Sequence, residues 1–299
     1  MPSAPCDTLQ RQGYQFFTKT STAALKPCMW CKRALTGSDM CYKHQFYGIA
    51  SHRCVQLTPT LRCNQRCLFC WRAVEEDVTE VEECPPETIL AGVKKLQKRA
   101  LAGYNAVLDN TVTDERWQEA LAPNQVAISL SGEPTLYSRL PELIRLFDEH
   151  GYTTFMVSNG TNPEMLSRCH PYQQYVSLDA PDRETYLSTC RPFDDYWDRI
   201  IESLALLGNR RSAVRLTLVA GYNDTHPERY AALVQDSGAM FVEVKGYMYL
   251  GYSRNRLARE NMPEHSAVRS FAERIAACCD YTIKDENTLS RVVCLERVR

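Results

Sequence analysis

Residues 61–71 read LRCNQRCLFCW, a stretch with three cysteines in CxxxCxxC spacing at Cys63, Cys67 and Cys70. This spacing lets one short loop turn three thiolates toward a single metal centre, and it supplies no fourth cysteine. Thiolates are the soft ligands that hold iron–sulfur clusters. A four-iron cluster bound by three cysteines keeps one iron open to another ligand. The stretch therefore predicts a four-iron four-sulfur cluster with an open coordination position.

The alternative for this loop is a structural zinc site. Zinc sites of that kind are normally closed by four ligands, commonly arranged as two CxxC pairs, whereas this loop offers three cysteines. The spacing, with the aromatic Phe69 before the last cysteine, resembles the signature of the radical S-adenosylmethionine (SAM) superfamily. In that superfamily the open iron chelates the amino and carboxylate groups of S-adenosyl-L-methionine. We therefore favour the cluster, and the resemblance implies this cofactor, with Phe69 among the residues that contact it.

The composition indicates a globular protein without a membrane partner. The 299 residues are 44% hydrophobic, which suits one barrel-sized domain or two average ones. The net charge of −1 does not indicate a nucleic-acid binder, although it is compatible with a local basic patch. The N-terminus lacks a signal-peptide pattern, and no apolar run reaches membrane-spanning length. We expect a cytoplasmic protein whose fourteen cysteines are metal ligands and buried thiols rather than disulfides.

Residues 1–53 form an N-terminal extension that is rich in cysteine, lysine and aromatic residues and has little clean periodicity. Cys28, Cys41 and Cys54 follow one another at equal intervals of thirteen residues, and Cys31 lies close to the first. Each lies beside polar or turn-forming residues, which weakens the usual interpretation as buried thiols. Spacing leaves two alternatives open: a second cluster held by three cysteines, or a zinc knuckle formed by all four.

From residue 54 onward the chain alternates predicted strands and helices. Strands are predicted at residues 55–58, 126–130, 153–157, 175–178, 213–219 and 240–244, with short ones near 281–283 and 291–295. Helices are predicted at residues 86–102, 140–150, 163–169, within 182–208, at 227–236 and at 263–279. Residues 103–124 are polar and aperiodic and predict a surface excursion.

Repeated strand-then-helix units imply right-handed crossovers and a parallel sheet. We therefore predict an α/β fold in which six units curve into a partial (βα)6 barrel. This domain is predicted to span residues 54–299, and the cysteine-rich extension at residues 1–53 is predicted to precede it as a separate part.

Polar turns follow the predicted strands. Ser131, Gly132 and Glu133 come after the second strand, Asn159 after the third, and Ser177 ends the fourth. In closed barrels the C-terminal ends of the strands carry the chemistry. Gly132 allows backbone to approach a ligand closely, and Glu133 offers a carboxylate to an ammonium group. Singly these are ordinary turn residues, but together and downstream of the cysteine loop they resemble the SAM pocket of a radical enzyme.

Longer strings resemble one family, the tRNA 4-demethylwyosine synthases in their single-domain archaeal form. They are CYKHQFYGI at 41–49, SHRC at 51–54, TP at 58–59, VAISLSGEPTLY at 126–137, VEVKGY at 242–247, GYSR at 251–254 and SRVV at 290–293. The resemblance implies a lyase that condenses carbons of pyruvate with 1-methylguanosine beside the anticodon of phenylalanine tRNA, tRNA(Phe), to form 4-demethylwyosine in wyosine biosynthesis. It also implies a separate electron donor of flavodoxin or ferredoxin type, because no flavodoxin-like domain precedes these strings.

The same resemblance implies site residues in the extension. Cys28, Cys41 and Cys54 match the ligands of an auxiliary cluster, which makes two [4Fe-4S] clusters in all. Lys43 matches a lysine proposed to form a Schiff base with pyruvate. Cys31 lies outside the pattern, either as a fourth ligand or as a nearby thiol. Because three matched cysteines leave one iron vacant, we favour pyruvate on that iron with Lys43 as a supporting cation.

Two basic groups are candidates for contact with the phosphates of a tRNA that presents an extruded base. The first, on a predicted helix, is interpreted as a solvated face, and the second follows the sixth strand at the predicted barrel mouth: Lys94, Lys95, Lys98 and Arg99, and then Arg254, Arg256 and Arg259. Two other functions stay open. One is a radical enzyme acting on another substrate, such as a glycyl-radical activase or a peptide-modifying enzyme, and the other is a zinc-ribbon RNA-binding protein.

Overall fold

Most positions of the parallel strands are buried, as in a sheet covered on both faces, whereas apolar residues recur at every third or fourth position in the helices. The computed structural model describes residues 4–75, 82–107 and 112–298. The α-helices within these ranges are α1 (Ala4–Arg11), α2 (Met29–Leu35), α3 (Tyr42–Tyr47), α4 (Pro86–Leu101), α5 (Asp114–Leu121), α6 (Leu140–Glu149), α7 (Pro163–Arg168), α8 (Arg183–Cys190), α9 (Trp197–Ala205), α10 (Pro227–Ser237) and α11 (His265–Ala276).

The strands begin and end close to the predicted positions from residue 54 onward. They are β1 (Gln15–Phe16), β2 (Ala24–Leu25), β3 (Cys54–Thr58), β4 (Gln125–Ile128), β5 (Thr153–Ser158), β6 (Gln173–Ser177), β7 (Ser212–Leu218), β8 (Phe241–Gly246), β9 (Tyr281–Asn287) and β10 (Val292–Arg297). The last two are longer than predicted, because their hairpin continues past the apolar positions that the sequence marks.

The chain divides into two compact units. The first contains Met1–Arg62, Val78–Val157 and Cys169–Tyr172, and the second contains Cys63–Asp77, Ser158–Arg168 and Gln173–Arg299. The boundary predicted after residue 53 stays a prediction.

In the first unit the strand order is β1-β2-β3-β4-β5. The last three strands are parallel, as predicted. The first two pair antiparallel with each other, and β2 pairs antiparallel with β3, so the extension contributes strands to this sheet. Sequence periodicity missed both, because a strand of two residues is too short to show any alternation.

In the second unit the order is β6-β7-β8-β10-β9. The strands β6, β7 and β8 are parallel, and β10 adds antiparallel to β8 before pairing with β9. The predicted α/β fold with parallel strands is therefore confirmed. Curvature into a partial barrel stays a prediction.

The prediction of a surface excursion over residues 103–124 was wrong for its second half, where α5 forms. Thr113 is its N-cap, since the hydroxyl accepts a hydrogen bond from the N–H of Arg116. Trp117 and Ala120 are the buried positions of the helix. A helix of eight residues with two buried positions has too short an apolar stripe to stand out from a polar background. Residues 108–111 of the predicted excursion lie outside the described ranges.

Helix α4 is the longest of the described helices, at sixteen residues. Pro86 opens it in the first turn, where the missing N–H would have no intrahelical partner. Ile89, Val93 and Leu101 form its buried stripe. Across the ranges that the structure covers, no helix combines the length and apolarity needed to cross a membrane.

We predict that Leu57→Ala lowers the free energy of unfolding by about 2–5 kcal/mol, as truncation of a fully buried leucine generally does. Leu57 is 0% exposed and lies in β3 between Leu25 of β2 and Ile128 of β4. Urea unfolding of the iron-free protein measures the change. Leu187→Ala is the matched control, because Leu187 is 41% exposed and its truncation is expected to change stability by no more than about 0.5 kcal/mol. Equal effects of the two substitutions would contradict the prediction.

Candidate functional site

Cys63, Cys67 and Cys70 lie together in the second unit, in a loop (residues 63–71, the cysteine loop) without helix or extended strand. All three are half-buried. The thiol of Cys67 interacts electrostatically with that of Cys70, and both Cys67 and Cys63 interact with Cys190. The structure therefore brings the three predicted ligands into one neighbourhood.

Cys190 is a fourth thiol at this site that the sequence analysis missed. It is 2% exposed at the end of α8. Hydrogen bonding to Cys190, followed by burial, raises the pKa of the Cys67 thiol well above its usual range. A cysteine outside any spaced motif gives no sequence signal of its own, so only the chain path could reveal this contact.

The backbone of the cysteine loop is held by the segment that ends α8. The N–H of Arg66 donates to the carbonyl of Cys190 at 3.1 Å, and the N–H of Leu68 donates to that of Thr189 at 2.9 Å. Phe69, predicted to contact the cofactor, packs with Leu68 against the hydrophobic cluster of Val219, Tyr247 and Leu257. These contacts give an irregular loop a fixed conformation.

Arg256 reaches the cysteine loop from the segment after β8. Its guanidinium donates to the carbonyls of Leu68 at 3.1 Å and Arg72 at 3.2 Å, and also to that of Cys70. The side chain is 8% exposed and pairs with Glu75 at 2.6 Å. A guanidinium used in this way stabilises the loop and has little surface left for a tRNA phosphate. The other predicted phosphate contacts are exposed: Lys94, Lys95, Lys98, Arg99, Arg254 and Arg259.

Asn159 and Ser177 lie in the second unit near the same loop. The amide of Asn159 donates to the side-chain oxygen of Asn64 at 2.9 Å, which ties the turn after β5 to the cysteine loop. Ser177 lines a small cavity together with Gln65, Asn159, Asp179 and Cys190. Burial raises the pKa of the Asp179 carboxyl to about 6, while the N–H of Thr217 donates to it at 2.7 Å.

In the first unit, residues 131–133 form a turn against residues 60–62. Gly132 has φ 74°, and a Cβ there would lie 2.3 Å from the carbonyl oxygen of Thr60. Only glycine allows this approach. The N–H of Glu133 donates to the carbonyl of Arg62 at 2.7 Å, and its buried carboxylate accepts hydrogen bonds from the N–H and hydroxyl of Thr135.

Ser131 supplies a test of whether this turn fits a polar cofactor. Its Oγ is buried and has no hydrogen-bond partner among the described residues. Buried hydroxyls in native proteins nearly always have a partner. An orphaned hydroxyl beside the Gly132 turn is what a site for a polar ligand such as S-adenosyl-L-methionine provides.

Cys28, Cys41 and Cys54 also lie close together, in the first unit. Cys28 and Cys41 precede α2 and α3 as their N-cap residues. The thiol of Cys54 interacts with Cys28, Lys43 and Cys41, and burial raises the pKa of both Cys54 and Cys28. Lys43 is 9% exposed. Its Nζ lies 4.9 Å from the ring centroid of Phe155.

Cys31 is enclosed by protein groups. It is 0% exposed, its thiol donates to the carbonyl of His52 at 3.8 Å, and the amide of Gln97 donates to its sulfur at 3.8 Å. The Cys31 thiol also interacts with those of Cys28 and Cys54, so its two interpretations, a fourth ligand and a nearby thiol, both stay predictions.

Each of the two cysteine groups offers three thiols, the soft donors that iron–sulfur clusters take as thiolates. Within residues 4–75, 82–107 and 112–298, no three histidine, cysteine, aspartate or glutamate side chains converge as ligands of one metal ion. The donor set of each group therefore fits an iron–sulfur cluster, and the choice between a cluster and a zinc knuckle in the extension stays a prediction.

Two protein-family models match the chain. The model for the radical SAM superfamily matches residues 57–234, and the model described as wyosine base formation matches residues 236–297. The first match includes the cysteine loop, and the second covers the C-terminal part of the chain. The radical SAM match alone spans more than half of the sequence.

Similar proteins carry a common name. The S-adenosyl-L-methionine-dependent tRNA 4-demethylwyosine synthase of Pyrococcus abyssi is 43% identical, over 99% of this chain and 90% of its own. That of Methanocaldococcus jannaschii is 38% identical, over 96% and 94%.

Solved structures agree with this similarity. One named "Structure of TYW1 with a lysine-pyruvate adduct bound" superimposes with a TM-score of 0.91 at 37% identity, over 99% of this chain and 96% of that one. The crystal structure of archaeal TYW1 has a TM-score of 0.82 at 33% identity, with the same coverage of 99% and 96%. The family predicted from the sequence strings is confirmed. The chain belongs to the S-adenosyl-L-methionine-dependent tRNA 4-demethylwyosine synthases, a family of radical SAM enzymes.

Proposed function

We propose that the protein forms 4-demethylwyosine in tRNA(Phe) by condensing carbons of pyruvate with 1-methylguanosine beside the anticodon. Membership of the family implies S-adenosyl-L-methionine, one [4Fe-4S] cluster and a tRNA substrate in wyosine biosynthesis. Pyruvate, tRNA(Phe), the second cluster and a separate flavodoxin or ferredoxin donor belong to the proposal. The observation that carries it is 43% identity to a named synthase over 99% of the chain.

The cysteine loop is the proposed holder of the SAM cluster, through Cys63, Cys67 and Cys70. When bound and reduced, this cluster supplies the electron that cleaves S-adenosyl-L-methionine and releases a 5′-deoxyadenosyl radical. Because hydrogen bonding to Cys190 and burial raise the pKa of the Cys67 thiol, loading of a cluster must release the proton of that thiol.

The turn at residues 131–133 is the proposed site for S-adenosyl-L-methionine. The Ser131 hydroxyl has an unused hydrogen-bonding capacity, and the Glu133 carboxylate can accept from the ammonium group of the cofactor. Gly132 lets the turn pack against the backbone of residues 60–62, where a Cβ would lie 2.3 Å from the carbonyl oxygen of Thr60, and it thereby positions Ser131 and Glu133. Phe69, Asn159 and Ser177 lie in the second unit and stay proposed cofactor residues, and Phe69 also packs against the cluster of Val219, Tyr247 and Leu257.

Cys28, Cys41 and Cys54 are the proposed ligands of the auxiliary cluster, beside Lys43. A lysine–pyruvate adduct is named for one relative with a solved structure. For this chain that relative favours the Schiff-base alternative over pyruvate on the open iron, and we propose Lys43 as the amine. Its burial against Phe155 would shield an imine from hydrolysis.

The reacting methyl group belongs to a single base of the tRNA, so that base must leave its stack to reach the cofactor. The proposed reaction removes hydrogen from the methyl carbon and joins this carbon to the carbonyl carbon of pyruvate. The carboxyl carbon of pyruvate is lost, and ring closure retains two of its carbons.

The test of the proposal is the mass of tRNA(Phe) containing 1-methylguanosine after anaerobic incubation with protein, S-adenosyl-L-methionine, pyruvate and reductant. We expect the two-carbon gain of 4-demethylwyosine. The proposal would be overturned if the tRNA stayed unchanged and 5′-deoxyadenosine formed only in the presence of another substrate, such as a peptide. That outcome would favour a radical enzyme of another kind.

In the same assay, alanine at Cys63, Cys67 or Cys70 should abolish 5′-deoxyadenosine, because the cluster that reduces the cofactor loses a ligand. Alanine at Cys28, Cys41 or Cys54 should leave the cleavage of S-adenosyl-L-methionine intact and abolish formation of the wyosine base. The two groups thus act as controls for each other. Normal product from the second group would show that the auxiliary site takes no part in the reaction.

Lys43 separates the two models of pyruvate binding. Borohydride with pyruvate should trap a covalent adduct on Lys43, identified by peptide mass. Lys43→Arg should lose product while it retains both clusters, because it keeps the charge but cannot form the imine in the same way. Substantial product from Lys43→Arg without an adduct would instead support pyruvate on the open iron, with Lys43 as a cation.

Arg256→Ala should reduce the iron bound at the cysteine loop after anaerobic reconstitution, because three loop carbonyls lose their donor. Arg256→Lys should rescue only part of the iron, since an ammonium group cannot reproduce the guanidinium fork. Iron analysis and the visible absorbance of the cluster measure the effect. Arg254→Ala is the matched control on an exposed arginine, and equal iron in all variants would refute this role of Arg256.

A further inference from the structure

Phe193 is an exposed aromatic side chain beside the cysteine loop. It is 64% exposed, the highest value among the exposed large hydrophobic side chains of the described residues. Isolated apolar residues on a surface are common and need no explanation by themselves. Phe193 differs from such residues because its backbone and ring are both held by contacts with neighbouring residues.

The backbone on either side of Phe193 runs against the cysteine loop. The N–H of Phe193 donates to the carbonyl of Asn64 at 3.0 Å, Pro192 forms a bridge with Gln65, and the N–H of Arg66 donates to the carbonyl of Arg191 at 3.0 Å. Arg191 has φ 46°, a left-handed conformation that costs free energy for any residue with a Cβ and persists only where the surroundings impose it. Phe193 is therefore held at a set position from the loop that carries Cys63 and Cys67.

The ring of Phe193 is backed by Arg66. The guanidinium carbon lies 4.3 Å from the ring centroid, a stacking distance for an arginine and an aromatic ring. Arg66 is itself oriented, because its guanidinium donates to the carbonyls of Cys63 at 3.1 Å and Gln65 at 3.3 Å. One face of the ring is thus covered by a cation, and the high exposure leaves the other face to solvent.

The charges nearby are compatible with an anionic ligand. Of the acidic residues that follow Phe193, Asp195 and Asp198 both pair with Arg183, at 2.9 Å and 2.6 Å. Arg191 and Asp194, two residues before and one after Phe193, are exposed and carry opposite charges. The surface therefore combines an open aromatic face, backed by Arg66, with flanking residues whose charges offset one another.

We propose that Phe193, backed by Arg66, is a stacking platform for an unstacked base of the tRNA anticodon loop. The inference rests on the proposed function and names the part of the protein that receives the nucleotide next to the modified one. Extrusion of the target base breaks its stacking with its neighbours. Aromatic and arginine planes are the usual partners of bases splayed out of a single-stranded loop.

The location favours this occupant over a peptide. A base that reacts at the cysteine loop brings its neighbouring nucleotide within reach of residues bonded to that loop, as Phe193 is through Asn64. A peptide would need an apolar groove around the ring, whereas the flanking Arg191, Asp194 and Asp195 are exposed and polar. The platform contributes stacking, so it is expected to affect affinity without changing the number of phosphate contacts.

The experiment measures binding of a fluorescently labelled anticodon stem–loop RNA to the reconstituted full-length protein by anisotropy. The variants are Phe193→Ala, Phe193→Leu and Phe193→Trp, with Leu289→Ala as a control at another highly exposed position. We expect Phe193→Ala and Phe193→Leu to raise Kd roughly ten-fold, the size of one lost base stack. Phe193→Trp should keep the wild-type Kd, as should Leu289→Ala. The slope of log Kd against log salt should be the same for all, because no phosphate contact is removed.

The Kd values of Phe193→Leu and Phe193→Trp decide the outcome, because both variants carry a large apolar side chain and only tryptophan can stack on a base. Equal Kd values for the leucine, tryptophan and wild-type proteins would overturn the platform. The platform would also be overturned if Phe193→Trp weakened RNA binding as much as Phe193→Leu. Iron content shows that each variant keeps its cysteine loop. Product formation by the wild-type protein, measured in parallel, tests the proposed function separately, so its failure is distinguishable from that of the platform.

Discussion

The candidate site depends on a loop without regular secondary structure that holds three thiols, those of Cys63, Cys67 and Cys70. A loop of this kind cannot rely on a helical or sheet ladder for its backbone hydrogen bonds. Here the partners come from two distant parts of the second unit. The carbonyls of Thr189 and Cys190 accept loop N–H groups, and the Arg256 guanidinium donates to loop carbonyls. The strands β6 to β8 with their helices are the frame that brings both parts to the loop.

Both groups of thiols meet the same electrostatic constraint. Burial raises the pKa of Cys54, and hydrogen bonding to Cys190 with burial raises that of Cys67, so both are neutral thiols in the metal-free protein. A buried thiolate without a compensating cation is costly. Under the proposed function, iron supplies that compensation, and cluster loading is coupled to proton release and to the stability of the surrounding elements.

Sequence patterns predicted the elements that repeat and missed those that do not. The parallel strands β3 to β5 and β6 to β8 and the long helices were predicted within a few residues, because each contains an apolar run or a helical stripe long enough to form a pattern. The two-residue strands of the extension and α5 were not, since each buries too few residues to show a pattern. The family was predicted from long strings, in which many positions agree at once, and not from the composition or net charge.

The candidate residues of the site were marked locally in the sequence. The CxxxCxxC spacing and the glycine at residue 132 stood out because each depends on residue type and short separation, whereas the spacing of the extension cysteines left a cluster and a zinc knuckle open. Contacts between distant residues were not legible. Cys190 lies beside Cys67, and Arg66 backs the ring of Phe193. Arg256, which the sequence suggested as a phosphate contact, is buried and donates hydrogen bonds to carbonyls of the cysteine loop. Only the tertiary structure decided these, because they depend on chain crossings between residues more than a hundred positions apart, for which local sequence carries no signal.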